Sequence, residues 1–150
     1  MTVGEVCTRS VVVAPKTEMI VDAAGRMRLS HVGNVVVVEN RDGRHVPIGI
    51  LTDRDIVVSA VAGDPDHIHS LLVDDVMSDD LVTAREHESI EAALERMKEH
   101  GVRRLPIVTD AGTVAGILTL DDVLEYLAAQ QSELIALVAR EQRHERQHRV

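Results

Sequence analysis

The stretch Gly49-Ile50-Leu51-Thr52-Asp53-Arg54-Asp55-Ile56 decides the fold, because a near copy returns as Gly116-Ile117-Leu118-Thr119-Leu120-Asp121-Asp122-Val123. In both copies a glycine opens three apolar residues that predict a buried strand, and Thr-x-x-Asp then predicts the start of a helix. A strand that runs into a helix N-terminus forms a corner suited to an anion. The sequence therefore predicts two such corners in one chain.

The duplication extends over most of the chain. Apolar residues of the first half recur at a constant offset of 70 residues, and the offset falls to 67 between Gly49 and Gly116. The first half thus carries three extra residues near the turn at Asp42-Gly43, where a loop tolerates them. The whole pattern predicts an α/β (α+β) fold in which a β-α-β-β-α unit occurs twice.

The predicted elements follow the apolar periodicity and the turn residues. The first half is predicted as a strand at 10–13, a helix from residue 17, strands at 35–38 and 48–51, and a closing helix at 53–62. The second half is predicted as a strand at 81–84, a helix at 88–100, strands at 105–109 and 114–118, and a helix from residue 120. Neither half buries enough surface alone, so the two are expected to pack against each other as one unit.

The predicted domain organisation has four parts. The first repeat spans 1–63, a linker spans 64–72, the second repeat spans 73–129, and a C-terminal amphipathic helix with a polar tail spans 130–150. The tail from residue 140 is rich in Arg, Glu, Gln and His, and is interpreted as either a fraying helix end or a disordered segment.

Composition excludes several classes of function. The net charge of −9 argues against nucleic acid and anionic membranes as partners, and no apolar run reaches the length of a membrane span. The chain has no Trp or Phe and a single Tyr, so a planar ligand would lie between aliphatic side chains and backbone. A single cysteine and the absence of a signal-peptide pattern predict a cytoplasmic protein.

Three features resemble the tandem cystathionine β-synthase-type (CBS) domain pair. They are the Asp75-Val76-Met77 start, the Val102-to-Val108 strand with its Arg-Arg-Leu-Pro core, and the two Gly-Ile-Leu-Thr-x-x-Asp closers. The resemblance covers Val3 to about Leu127. It implies a pseudo-two-fold module with two clefts between the halves that bind adenosyl compounds such as AMP, ADP, ATP, S-adenosylmethionine or NAD, and pairing of modules into homodimers.

The resemblance also implies roles for individual residues. Thr52 and Thr119 would face a phosphate or ribose, and Asp55 and Asp122 would accept hydrogen bonds from the ribose hydroxyls. The same Thr and Asp side chains can instead cap their helices, and the two roles are compatible. By the same resemblance, the adenine would lie near Val12, Val13 and Val35, which ordinary core packing explains equally well.

Charge distinguishes the two predicted clefts. Arg103 and Arg104 are implied to reach a phosphate across one cleft, although neighbouring strand residues point to opposite faces and one arginine can be a plain surface residue. Gly33-Asn34 replaces the arginine pair in the first half, and Asp121 matches Arg54. The cleft of Thr52, Arg54 and Asp55 is therefore predicted to be the stronger nucleotide site. The cleft of Thr119 and Asp122 is predicted to be empty, to take a neutral ligand or to hold a metal-bound one.

The sequence contains no catalytic constellation and no set of metal ligands beyond isolated histidine pairs. We therefore predict a non-enzymatic regulatory module that needs no cofactor, binds an adenine nucleotide and acts on an unidentified regulated protein. The alternative is a dimeric interaction protein with vestigial clefts that docks a partner through its C-terminal helix.

Overall fold

The computed structural model describes residues 1–148, which form two three-stranded sheets and six helices. The α/β fold with a duplicated unit and a C-terminal helix is confirmed. The tail residues 149–150, part of the predicted polar end, lie outside the described residues.

The elements of the first repeat follow the predicted β-α-β-β-α order after a short opening helix that the apolar pattern did not predict. In chain order they are α1 (Val3–Val6), β1 (Val13–Pro15), α2 (Ile20–Ser30), β2 (Asn34–Arg41), β3 (Arg44–Thr52) and α3 (Asp53–Asp55), which continues as a π-helical segment (Ile56–Val61). A 3-10 turn (Pro65–His67) lies in the linker. The predicted closing helix is thus present, with a wider turn over most of its length.

The second repeat follows the same order. Its elements are α4 (Val73–Val76), β4 (Ala84–Arg85), α5 (Ile90–His100), β5 (Arg104–Val108), β6 (Val114–Thr119) and α6 (Leu120–His148). The helix α6 continues through most of the segment that the sequence left open between a fraying helix and a disordered tail. No helix within residues 1–148 is both long and apolar enough to cross a membrane.

In each sheet the middle strand has the longest run of buried residues. In the first sheet β2 pairs parallel with β1 and antiparallel with β3, and β5 takes the same place between β4 and β6. The central positions Val35 to Val37 and Leu105 to Ile107 are buried, as their continuous apolar sequence predicts. A small cluster of Val36, Val38 and Ile117 joins the two sheets.

The two repeats exchange their opening segments. Val3, in α1, belongs to the apolar core of the second repeat, and the Thr8 backbone pairs with Ile117 through two hydrogen bonds of 2.9 Å. In the same way Val73, in α4, belongs to the core of the first repeat, and Ser78 pairs with Ile50 at 3.0 Å. Each core is therefore completed by residues that precede the other repeat's first strand.

The observed elements start later than predicted at two helices and two strands. α2 begins at Ile20 instead of residue 17, because the Ile20 amide donates to the Leu71 carbonyl at 2.9 Å and Met19 bridges Leu72. α5 begins at Ile90, where the Ser89 side chain caps it. β1 and β4 also start three residues late, since only their last residues pair with the central strand.

Candidate anion-binding site

A cavity of about 520 Å³ lies where the two Thr-x-x-Asp corners meet. Both repeats supply its walls. Its lining comprises Val32, Gly33, Asn34, Arg54, Arg103, Arg104, Thr119, Leu120 and Asp121. The positions related by the duplication, such as Arg54 and Asp121, thus face the same space and not two separate ones.

Three arginines converge on this cavity from the two repeats. Arg54 comes from the start of α3, while Arg103 and Arg104 come from the start of β5. None of the three side chains forms an ion pair with another residue of the described range. With Asp121 as the single acidic residue in the lining, the cavity is locally cationic in a chain whose net charge is −9. Such a cluster is suited to binding phosphate, because guanidinium groups donate several hydrogen bonds in a fixed plane.

The backbone amides of the first corner are already satisfied. The Asp53 amide donates to the Gly33 carbonyl at 3.0 Å, the Arg54 amide to Asp53 Oδ1 at 2.8 Å, and the Asp55 amide to Thr52 Oγ1 at 3.1 Å. The expectation of a helix N-terminus that offers free donors to an anion is therefore not met at this corner. At this corner an anion would be held by side chains.

Both Thr-x-x-Asp motifs form complete helix caps. At the first corner the Thr52 amide also donates to Asp55 Oδ2 at 2.9 Å. At the second, the Thr119 amide donates to Asp122 Oδ2 at 3.0 Å and the Asp122 amide to Thr119 Oγ1 at 3.1 Å. The capping role is thus present in the structure, and it leaves the second carboxylate oxygen of each aspartate for other partners.

Asp55 and Asp122 differ in the hydrogen bonding of the carboxylate oxygen that does not cap the helix. Asp122 Oδ1 accepts a hydrogen bond of 3.4 Å from Thr8 Oγ1, and Asp122 lines a separate cavity with Met1 and Glu5. Asp55 Oδ1 has no hydrogen-bond partner within residues 1–148 and lies next in sequence to Arg54. The Asp55 corner therefore has a free acceptor, but neither Thr52 nor Asp55 is part of the lining of the arginine cavity.

The three valines proposed for the adenine do not line the arginine cavity. Val35 is fully buried in the core of the first repeat, and Val12 packs partly buried against the same core. Val13 lines another cavity, of about 370 Å³, which includes Arg9, Arg44 and His45 and lies at the opposite end of β6. The adenine contacts thus stay a prediction.

Asp121 is placed differently from the sequence expectation. The sequence assigned it to a second cleft without an arginine, but it lines the same cavity as all three arginines. The duplication could not predict this arrangement. The sequence offset shows that Arg54 and Asp121 are equivalent positions, but it does not show whether the two positions line one cavity or two.

Comparison with known proteins agrees with this architecture. The family profile of the CBS domain matches residues 3–61 and again 73–129. An uncharacterized protein of Methanopyrus kandleri is 38% identical over 138 residues, which is 89% of this chain and 67% of that protein. The CBS domain-containing protein YhcV of Bacillus subtilis is 36% identical over 121 residues, 81% of each chain.

A solved structure shows the same fold at low sequence identity. The CBS domain pair of protein MJ0100, crystallised with 5′-methylthioadenosine and S-adenosyl-L-methionine, superposes with a TM-score of 0.74 at 19% identity, covering 87% of this chain and 98% of that one. Two matches to the family profile, which together span most of the chain, agree with the duplicated sheets and the shared cavity. The chain belongs to the CBS domain family and carries two CBS domains in tandem.

Proposed function

We propose that this CBS pair is a non-enzymatic regulatory module that binds an adenine nucleotide, with its phosphates on Arg54, Arg103 and Arg104. The observation that carries the proposal is the convergence of three unpaired guanidinium groups from both repeats on one cavity. Arg54 and Arg103 are exposed, Arg104 is half-buried, and none of the three has an ion-pair partner within the described residues, so their guanidinium groups are available to an anionic ligand.

The adenosyl part of the ligand rests on the family and on Asp55. The free Asp55 oxygen, on the residue next to Arg54, is an acceptor that suits a ribose hydroxyl at the edge of the arginine cavity in this proposal. The CBS pair of MJ0100 was crystallised with two adenosyl compounds, neither of which carries a phosphate. The arginines favour AMP, ADP or ATP over such ligands, and S-adenosylmethionine, a sulfonium cation, is the least suited.

A bound phosphate would connect the two repeats. Arg54 belongs to the first repeat and Arg103 and Arg104 to the second, so one anion would contact both. Binding shifts a conformational equilibrium only by the difference in affinity for the two states, and this bridging contact supplies such a difference. Transmission of that shift to a regulated protein, within a cytoplasmic homodimer, is part of the proposal.

A regulatory rather than a catalytic role fits the chemistry of Cys7. Burial is the main cause that raises the pKa of its thiol, so the thiol is protonated at neutral pH and is a poor nucleophile. Its side chain lies beside Gly116 in a close packing contact. Cys7 therefore serves packing in this proposal.

Calorimetric titration of the full chain with AMP, ADP, ATP and 5′-methylthioadenosine tests the proposal. We expect a nucleotide to bind, and Arg104→Ala to weaken its binding by roughly tenfold or more, since a hydrogen bond to a charged group contributes about 1.5–3 kcal/mol. Arg28→Ala, at an exposed site outside the cavity, should leave the affinity unchanged. Asp55→Ala should weaken nucleotides and methylthioadenosine alike. Absence of binding by every nucleotide, or equal affinity in Arg104→Ala, would contradict the proposal.

A further inference from the structure

Two carboxylates lie beside the three arginines of the cavity. Asp121 belongs to the lining. Asp53 lies outside the lining but borders Gly33, which is part of it, because a Cβ placed on Gly33 would lie 3.1 Å from Asp53 Oδ2 and 3.4 Å from Arg104 Nη2. Neither carboxylate forms an ion pair within residues 1–148. The chain therefore places negative charge of its own where an anionic ligand is expected to bind.

Hydrogen bonds of the first corner hold Asp53 in this position. Its Oδ1 accepts from the Arg54 amide at 2.8 Å, and its own amide donates to the Gly33 carbonyl at 3.0 Å. Its Oδ2 has no hydrogen-bond donor within the described residues and faces Gly33. Backbone amides at the start of a helix are donors that anions bind. At this corner the Asp53 carboxylate already takes one of them, so the chain supplies an anion of its own.

The second corner has no carboxylate at the equivalent position. Leu120 takes the place of Asp53 in the repeat, and its amide donates to the Arg103 carbonyl at 2.9 Å, as the Asp53 amide does to Gly33. The leucine side chain offers no acceptor, and the Asp121 amide has no hydrogen-bond acceptor within residues 1–148. The two corners therefore differ, since the first is filled by its own carboxylate and the second is open to the cavity.

Charge decides how many phosphate groups the cavity accepts. Arg54, Arg103 and Arg104 carry three positive charges, and the two carboxylates leave one positive charge in excess. A phosphate monoester carries a charge of about −1.5 to −2 at pH 7. Each further phosphate group adds negative charge close to Asp53 and Asp121, which repel it, and the cavity has no further arginine to offset it. The cavity therefore favours a single phosphate group.

We propose that Asp53 and Asp121 make the cavity selective for a nucleoside monophosphate over the diphosphate and the triphosphate. The inference rests on the proposed function, because it names the phosphate class of that ligand. Asp53 acts from the edge of the cavity by competing with the phosphate for Arg104, and Asp121 acts from within the lining. The same selectivity applies to inorganic phosphate against pyrophosphate, since it depends on the phosphate groups and not on the base.

Calorimetric titration of the full chain with AMP, ADP and ATP, without divalent cations, tests the selectivity. We expect the unaltered chain to bind AMP most tightly. Asp53→Asn keeps a side-chain oxygen for the Arg54 amide but removes the charge, so it should raise the affinity for ATP about tenfold and that for AMP about threefold or less. Asp121→Asn should shift the ratio of the ATP affinity to the AMP affinity in the same direction.

Asp42→Asn is the matched control. It removes the same charge from an exposed turn at the other end of β2 and β3, and it should leave every affinity unchanged. An affinity ratio that stays the same in both Asp53→Asn and Asp121→Asn would overturn the inference. Tighter binding of ATP than of AMP by the unaltered chain would overturn it as well.

Titration with inorganic phosphate and pyrophosphate separates this inference from the proposed function. If no nucleotide binds, the proposed function fails, but a gain in pyrophosphate affinity in Asp53→Asn that a further Arg104→Ala abolishes still supports the competition at Arg104. No such gain, together with no nucleotide binding, contradicts both. A nucleotide that binds every carboxylate variant with the same preference as the unaltered chain supports the proposed function and contradicts the inference.

Discussion

At the scale of single residues, Gly33 decides how much room Arg104 has. A Cβ placed on Gly33 would lie 3.1 Å from Asp53 Oδ2 and 3.4 Å from Arg104 Nη2, so the missing side chain lets both charged groups reach this edge of the cavity. The corresponding residue of the second repeat is Arg103, which supplies a charge instead of space. The divergence between the two repeats at this one position thus shapes a single site.

Gly33→Val should weaken nucleotide binding roughly tenfold or more, because the added side chain displaces the Arg104 guanidinium from the phosphate position. The effect on the free energy of unfolding should stay near 1 kcal/mol, since Gly33 lies at the cavity wall and only half-buried. Titration calorimetry and urea unfolding measure the two quantities. Gly25→Ala, which meets nothing within 4 Å, is the control. Unchanged affinity in Gly33→Val would show that Arg104 does not contact the ligand.

The sequence predicts the arginines of the site better than it predicts their surroundings. Arg54, Arg103 and Arg104 stand out because they break the symmetry of the repeat. The hydrogen-bond partner of Asp122 could not be predicted, because Thr8 lies 114 residues away in sequence and only folding brings the two side chains together. The occupied amides at Asp53 and Arg54 were not predicted either, because the motif indicates neither acceptor. The Asp53 amide donates to the Gly33 carbonyl, and the Arg54 amide donates to the Asp53 side chain.

At the scale of elements, the two repeats end their equivalent helices differently. The C-cap residue is Gly101 after α5 and His31 after α2, and both residues adopt left-handed backbone conformations, with φ of 64° and 53°. A side chain costs free energy in that region, whereas glycine adopts it readily. The first repeat therefore carries a strained C-cap that the second repeat lacks.

His31→Gly should stabilise the protein by about 0.5 to 1 kcal/mol, because it removes that steric cost. Gly101→His, the reciprocal change, should destabilise it by a similar amount. Thermal unfolding measures both, and each kcal/mol corresponds to about 2–4 °C for a chain of this size. A loss of stability in His31→Gly would mean that the His31 side chain makes a compensating contact.

Element prediction succeeded where the apolar pattern of a segment is enough to decide its structure. The β-branched run at Val35 to Val38 has no alternative to a buried strand, and β2 contains it entirely. The start of α2 was predicted too early, because the chain on either side of Met19 bonds to the linker. The Ile20 amide donates to the Leu71 carbonyl, and the Val73 amide donates to the Glu18 carbonyl. The π-helical turn at 56–61 has no counterpart in the second repeat, and nothing in its sequence pattern distinguishes it from an ordinary helix.

At the scale of the whole molecule, the exchanged opening segments make each core depend on the other repeat. Val3 is 0% exposed and packs with Ile90, Leu105 and Leu118 of the second repeat. The predicted domain boundaries, with residues 1–63 as the first repeat, follow chain order, and they stay a prediction. Pairings such as Thr8 with Ile117 involve one residue on each side, so they leave no periodic pattern to detect.

Val3→Ala should destabilise the protein by about 1–3 kcal/mol through the cavity it leaves. Hydrogen exchange should show the loss of protection mainly in β5 and β6, which lie far from residue 3 in sequence but share its core. Leu29→Ala, at a side chain that is 83% exposed, should change neither quantity measurably. Loss of protection mainly in β2 and β3 would contradict this assignment of the cores.

The same exchange gives the chain a required order of events during synthesis on the ribosome. Met77 is the last residue that packs on the first core, so that core is complete when little more than half of the chain has been made. The second core needs Val3, the earliest buried residue, and also Val123. The segment around Val3 therefore cannot pack into its core until about a hundred further residues have been synthesised. It is among the last parts of these two repeats to become buried.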